Sequence, residues 1–160
     1  MKNTISKNRI YKILSIVLVI LWCATVFYLS SEVADDSSGT SGNTIRFVFR
    51  IISPNIDTLT LDTLVEMLQP LVRKMAHFTL YMIGGILIFN MLDLFIKDRK
   101  KVFCTSLTCG VFYAITDEFH QLFVLGRSCE IRDVIIDSLG ILCGISVIML
   151  ITIMYEEYKK

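Results

Sequence analysis

Residues Val134–Met154, VIIDSLGILCGISVIMLITIM, make a run of 21 residues with a single charge, Asp137. An α-helix needs roughly 20 apolar residues to cross the hydrocarbon core of a bilayer, so this stretch reads as a membrane span. A lone carboxylate inside such a span costs at least a few kcal/mol; it persists where it faces a partner rather than lipid. Gly140 and Gly144 lie four residues apart in the same run. That spacing lets a second helix backbone come close, although such pairs also arise by chance in apolar helices.

Working outward, three more blocks have the length of a span: about Ile13–Leu29, Met75–Phe95 and Val102–Leu125. The chain has 160 residues, 54% of them hydrophobic, with a mean hydropathy of +0.62. Its apolar residues come in blocks rather than at amphipathic spacing, which argues against a soluble domain. The expectation is an all-α, multi-pass transmembrane bundle with four spanning helices. The first block follows Lys2, Lys7, Arg9 and Lys12; it is long for a signal-peptide core and no small-x-small site precedes Ser30, so it reads as an uncleaved anchor. A net charge of +1 and the lack of a basic stripe exclude a nucleic-acid partner.

Lys and Arg in short segments favour the cytoplasmic side. The N-terminal tail, the loop Lys97, Arg99, Lys100, Lys101 and the terminal Lys159 and Lys160 hold ten of the 16 basic residues. Both termini are therefore placed in the cytoplasm, and Ser30–Arg73 and Gly126–Arg132 face outward. The chain divides into residues 1–29, a cytoplasmic tail and first span; 30–72, an outer loop; and 73–160, a three-helix core. In the outer loop, Ser30 to Asn43 is rich in Ser, Gly and Asp and reads as mobile. Beyond it, Ile45, Phe47, Val48, Phe49, Ile51 and Ile52 with Arg46 and Arg50 suggest a short interfacial helix. Leu61, Leu64, Val65, Leu68 and Leu71 fall at helical spacing. Thr63 and Glu66 have the spacing of a capping box, and Pro70 suits the first turn of the next helix.

Polar residues recur at matching depth in three spans. Arg73, His77 and Tyr81 share one helix face, with His77 about 6 Å below Arg73. Asp117 and Gln121 share another, with Glu118 beside them, and Asp117 lies about 12 Å beneath Leu125. Asp133 and Asp137 repeat the four-residue spacing, Asp137 about 8 Å below Arg132. A common outward-facing cavity would collect them all.

These residues resemble a known family. Arg73-Lys74-Met75-Ala76-His77-Phe78 with Tyr81 and Gly84, Asp117-Glu118-Phe119-His120-Gln121-Leu122-Phe123 with Gly126-Arg127, and Arg132-Asp133-Val134 with Asp137, Gly140 and Gly144 look like the VanZ-like family. Ser30-Ser31 and the Ser-rich stretch after it resemble that family's first outer loop. The pattern departs at Cys129-Glu130-Ile131, where small or polar residues are more usual. The resemblance implies a multi-pass protein of the bacterial cell membrane, a cell-envelope factor that lowers susceptibility to glycopeptides such as teicoplanin.

The chemistry of the polar set allows several roles. Arg73, Lys74 and Arg127 can hold phosphate or carboxylate, which points to membrane lipids, a lipid-linked cell-wall intermediate or a glycopeptide as ligand; Tyr81, Gln121, Asp133 and Asp137 would line the same site. His77, Asp117 and Glu118 have the character of acid–base groups acting on a phosphorylated or acylated lipid. The same charges can equally form a structural ion network that binds nothing. His77, Asp117, Glu118 and His120 have ligand types suited to zinc but no H-E-x-x-H spacing, and the five cysteines contain no C-x-x-C. No metal or cofactor is expected, and Ser128, Cys129 and Ser138 belong to no nucleophile motif.

Overall fold

A computed structural model of the chain describes residues 2–32 and 34–159, with side chains over 9–32 and 39–159. The described residues form five helices and no strand: α1 (Lys2–Ser30), α2 (Ala34–Ile52), α3 (Thr58–Asp93), α4 (Arg99–Gln121) and α5 (Ile131–Tyr158). Three are long and apolar enough to cross a membrane: α1 over Arg9–Ser30, α3 and α5. The fourth expected span, α4, has 23 residues but falls short of that apolarity. Arg99-Lys100-Lys101 opens it, and Asp117, Glu118, His120 and Gln121 close it.

The outer loop corrects two expectations. Ser30–Asn43 is not all loop, because α2 begins at Ala34. Its Ser and Gly are poor helix formers, and packing supplies the difference. Ile45 is buried, a methyl on Gly42 would touch Val65 of α3, and Arg46 pairs with Asp62. The helix covers Ile45–Ile52, where a shorter one was expected.

The second correction concerns α3. Its N-cap is Asp57, whose carboxylate accepts from Thr60 N at 3.0 Å and Thr60 Oγ1 at 2.7 Å; the hydroxyl and backbone bonds of Thr60 hold the Asp57 carboxyl below its ordinary pKa. Thr63, the expected cap, instead donates from its side chain to Leu59 O at 2.9 Å, inside the helix. Pro70 also lies within the helix rather than in a first turn. Its ring forgoes one backbone bond to the preceding turn, and Leu61 and Val65, buried on the α2 side, help carry the helix through. The 36 residues of α3 make a rod about 54 Å long, well beyond a hydrocarbon core of about 30 Å.

The bundle is built on α3 against α5, its most extensive helix pair. A Cβ on Gly85 would strike the Ile141 backbone, one on Gly140 the Phe78 carbonyl, and one on Gly144 the Met82 carbonyl. The glycine pair of α5 thus serves close backbone approach. From the other side, Trp22 of α1 lies on Gly84 and donates from Nε1 to Leu80 O at 2.9 Å. Tyr113 of α4 donates to Cys23 O at 2.6 Å. Tyr81, Phe89, Ala114, Ile141 and Ile145 are all but inaccessible in the centre. The turn between α4 and α5 uses Gly126 at φ 76°, a left-handed conformation that glycine adopts without penalty.

Candidate functional site

The end of the bundle where α4 turns into α5 gathers the polar residues. Asp117, one turn before the end of α4, is 4% exposed. Its Oδ2 accepts from Ser30 Oγ at 2.8 Å, Tyr81 OH at 3.1 Å and Gln121 Nε2 at 3.4 Å. Three neutral donors from α1, α3 and α4 thus fix one oxygen of the carboxylate and leave the other, Oδ1, with no protein partner. Asp137, on the second turn of α5, is fully buried; neither of its oxygens accepts a hydrogen bond from a described residue. His77 Nδ1 lies 3.8 Å from Asp137 Oδ1, too far for a hydrogen bond.

His77, Asp117 and Asp137 each point one ligand atom into a common space, all within 4.8 Å of one another. Buried polar atoms in native proteins are overwhelmingly satisfied, so this convergence is the site's most unusual property. One histidine nitrogen and two carboxylate oxygens are also a donor set that can hold a divalent metal.

A cationic rim surrounds the centre. Lys74 donates to Asp133 at 2.6 Å and lies 3.9 Å from Glu130. Arg127 donates to the carbonyls of Glu32 at 2.9 Å and Leu29 at 3.3 Å, and to Gln121 Oε1 at 3.4 Å. Burial, and after it the charge of Arg73, lower the Arg127 pKa from its ordinary value, although a guanidinium stays charged. Arg73 forms no hydrogen bond or ion pair with another described residue; with His77 and Arg127 it lines a cavity of about 130 Å³ that reaches Glu32 and Ser41. A smaller void of about 10 Å³ lies between Lys74, His77, Asp133 and Asp137.

The ten residues singled out from sequence do not form one set. His77, Tyr81, Asp117, Gln121 and Asp137 meet directly or through one shared oxygen. Arg73, Lys74, Arg127 and Asp133 form the rim. Glu118 is buried but turned elsewhere: its Oε2 accepts from Glu130 N at 3.0 Å, pinning the turn before α5. His120 is separate, its ring 4.3 Å from that of Phe27. Ser30 was missed as a site residue, because in sequence it is merely the serine that ends an apolar block.

A fully paired ion network would leave no such atoms unmatched. Lys74 with Asp133 fits that description; the centre does not. The fold and site define the class as a helical membrane bundle in which a partly buried histidine meets two buried aspartates beneath a basic rim. The VanZ/LLP1 family profile matches residues 15–152, most of the chain, and the chain belongs to that family. It is also 28% identical over 90 residues to an uncharacterized protein of Schizosaccharomyces pombe, C11E3.10, over 56% of this chain and 52% of that one. The chain thus spans about half the length of that relative. No solved structure matches it.

Proposed function

We propose that this chain is a four-span protein of the bacterial cell membrane, with both termini cytoplasmic, that acts on the phosphorylated head group of a membrane lipid at its outer end. The four-span reading is supported by the sidedness of α4: Asp117, Glu118 and Gln121 are buried against the bundle, while Phe112, Ile115 and Phe119 are exposed as a lipid-facing surface would be. The apolar face of α2, with Phe47, Val48, Ile51 and Ile52 exposed, suits an interfacial position.

One observation carries the enzymatic reading: His77, Asp117 and Asp137, each with a buried atom that has no partner among the described residues, converge next to Arg73. Arg73 is placed to hold a phosphate by paired hydrogen bonds. With water attacking phosphorus, one of His77, Asp117 and Asp137 can take the water's proton and another can give a proton to the lipid oxygen as its bond to phosphorus breaks, releasing phosphate and the lipid alcohol.

A second reading is an envelope factor that binds without chemistry and thereby lowers susceptibility to glycopeptides. It is favoured by the cavity of about 130 Å³ that Arg73, His77 and Arg127 line, which can take a small anionic group without any bond being broken. The two separate on one experiment. The protein is placed in vesicles containing phosphatidate, and free phosphate and retained lipid are both measured. Release of phosphate, lost in His77→Asn, supports the enzyme; retention without release supports the binder. Neither release nor retention, repeated with a lipid extract of the native membrane, overturns both.

A further inference from the structure

We propose that His77 Nδ1, Asp117 Oδ1 and a carboxylate oxygen of Asp137 bind one divalent cation of the Mn2+ or Zn2+ type. The inference stands on the geometry of these three residues and does not require the lipid reading. Asp117 and Asp137 are 4% and 0% exposed, and they bring two carboxylates close together where the dielectric constant is low. Such a pair needs a shared proton or a cation between its members. The lysine and arginines nearby do not supply that cation: Lys74 is engaged by Asp133 at 2.6 Å, Arg127 donates to carbonyls and Gln121, and Arg73 contacts no carboxylate among the described residues; a protonated His77, 3.8 Å from Asp137 Oδ1, is the rival that the metal titration decides.

The hydrogen bonds around Asp117 favour the cation over the proton. Ser30, Tyr81 and Gln121 all donate to Oδ2, which favours a charged carboxylate and leaves the buried Oδ1 without a donor among the described residues. Outer donors of this kind commonly orient the ligands of a metal. Spacing agrees. Ligand atoms about 2.1 Å from one ion stand about 3.4 Å apart in a tetrahedral site and up to about 4.2 Å apart in an octahedral one. The 3.8 Å between His77 Nδ1 and Asp137 Oδ1 falls inside that range, and the outer limit of 4.8 Å for the three residues requires only a slight contraction. The void of about 10 Å³ beside His77 and Asp137 has the size of one water-sized particle, enough for an additional ligand. One imidazole with two carboxylates suits Mn2+ or Zn2+ better than Ca2+, which takes six to eight oxygens.

The test uses the full chain in detergent, stripped with a chelator and free of added lipid. Titration with Mn2+ should give one bound equivalent per chain, and the spin-echo spectrum of the bound ion should carry a histidine nitrogen coupling that His77→Gln removes. Asp137→Asn should weaken binding at least about 100-fold. Tyr81→Phe, which keeps the ring and deletes one outer donor, should weaken it about 10-fold, so the test survives if the Asp137 variant does not fold. Zn2+ should displace Mn2+, and excess Ca2+ should not. Less than a tenth of an equivalent on the wild type, no nitrogen coupling, or unchanged affinity in both Asp137→Asn and Tyr81→Phe would overturn the site and leave a proton shared by the two aspartates in its place. Because lipid is absent, failure here is distinct from failure to retain or cleave phosphatidate.

Discussion

Ser30 Oγ donates to Asp117 Oδ2 at 2.8 Å, tying the last residue of α1 to the end of α4 that leads into the α4–α5 turn, across 87 residues of chain. Both groups are buried, and a hydrogen bond to a charged group in that setting contributes about 1.5–3 kcal/mol. Ser30→Ala should therefore destabilise the folded protein by about that amount, read as a lower thermal midpoint in detergent. Asp117→Asn should act in the same direction, and the double variant should lose less than the sum of the two because they share a bond. Strict additivity would mean that the two side chains do not interact.

The glycines of the α3–α5 seam should be far less tolerant than their chemistry suggests. A side chain on Gly144 or Gly85 would meet backbone atoms of the opposite helix, which cannot rotate away. Gly144→Val or Gly85→Val should cost about 1–3 kcal/mol or more and reduce the yield of monodisperse protein. Gly39→Ala is the contrast, since no described atom lies within 4 Å of the added methyl. It should be neutral or slightly stabilising, helix propensity favouring Ala by up to about 1 kcal/mol.

What could be read in the chain beforehand follows from which signals are local. Apolar block length suffices to place α1, α3 and α5, and four-residue spacing puts His77 with Tyr81 and Asp117 with Gln121 on common faces. Two features depended on tertiary packing and escaped notice. The Ser- and Gly-rich start of α2 is helical with Gly42 against Val65 and Ile45 buried nearby, and Pro70 lies inside α3, whose preceding turns bury Leu61 and Val65. In the site, the residue types were legible but their pairing was not. Glu118 and Asp117 are adjacent in sequence, yet helix geometry turns them about 100° apart, one to the Glu130 amide and the other to the centre. Only the approach of α5 decides that Asp137 completes the group rather than Glu118 or His120.

The start of α3 should respond to pH. The Thr60 bonds lower the folded pKa of Asp57 from its ordinary 3.8, so the charged cap stabilises the fold fully above that value. Its contribution fades as the pH falls through the folded pKa. Hydrogen exchange at Thr60 and Leu61 should accelerate, after correction for intrinsic rates, as the solution is taken below about pH 4. Asp57→Asn keeps a capping oxygen without the titration; its exchange at these amides should be flat over the same range. An equal acid response in Asp57→Asn would assign the effect to another group.

Cysteine chemistry can decide how α4 meets the membrane. Cys129 is exposed in the turn between α4 and α5, whereas Cys104 and Cys109 are exposed on the α4 surface itself. If α4 is a span, lipid covers Cys104 and Cys109, and a membrane-impermeant maleimide applied to intact cells should label Cys129 alone; Cys129→Ser should abolish the signal. Dissolving the membrane in detergent should then open Cys104 and Cys109 to the reagent. Labelling of Cys104 and Cys109 in intact cells would take α4 out of the bilayer. Labelling of Cys129 only after the cytoplasmic face is opened would turn the whole bundle over, placing the basic rim of Arg73, Lys74 and Arg127 inside the cell and its lipid ligand in the inner leaflet.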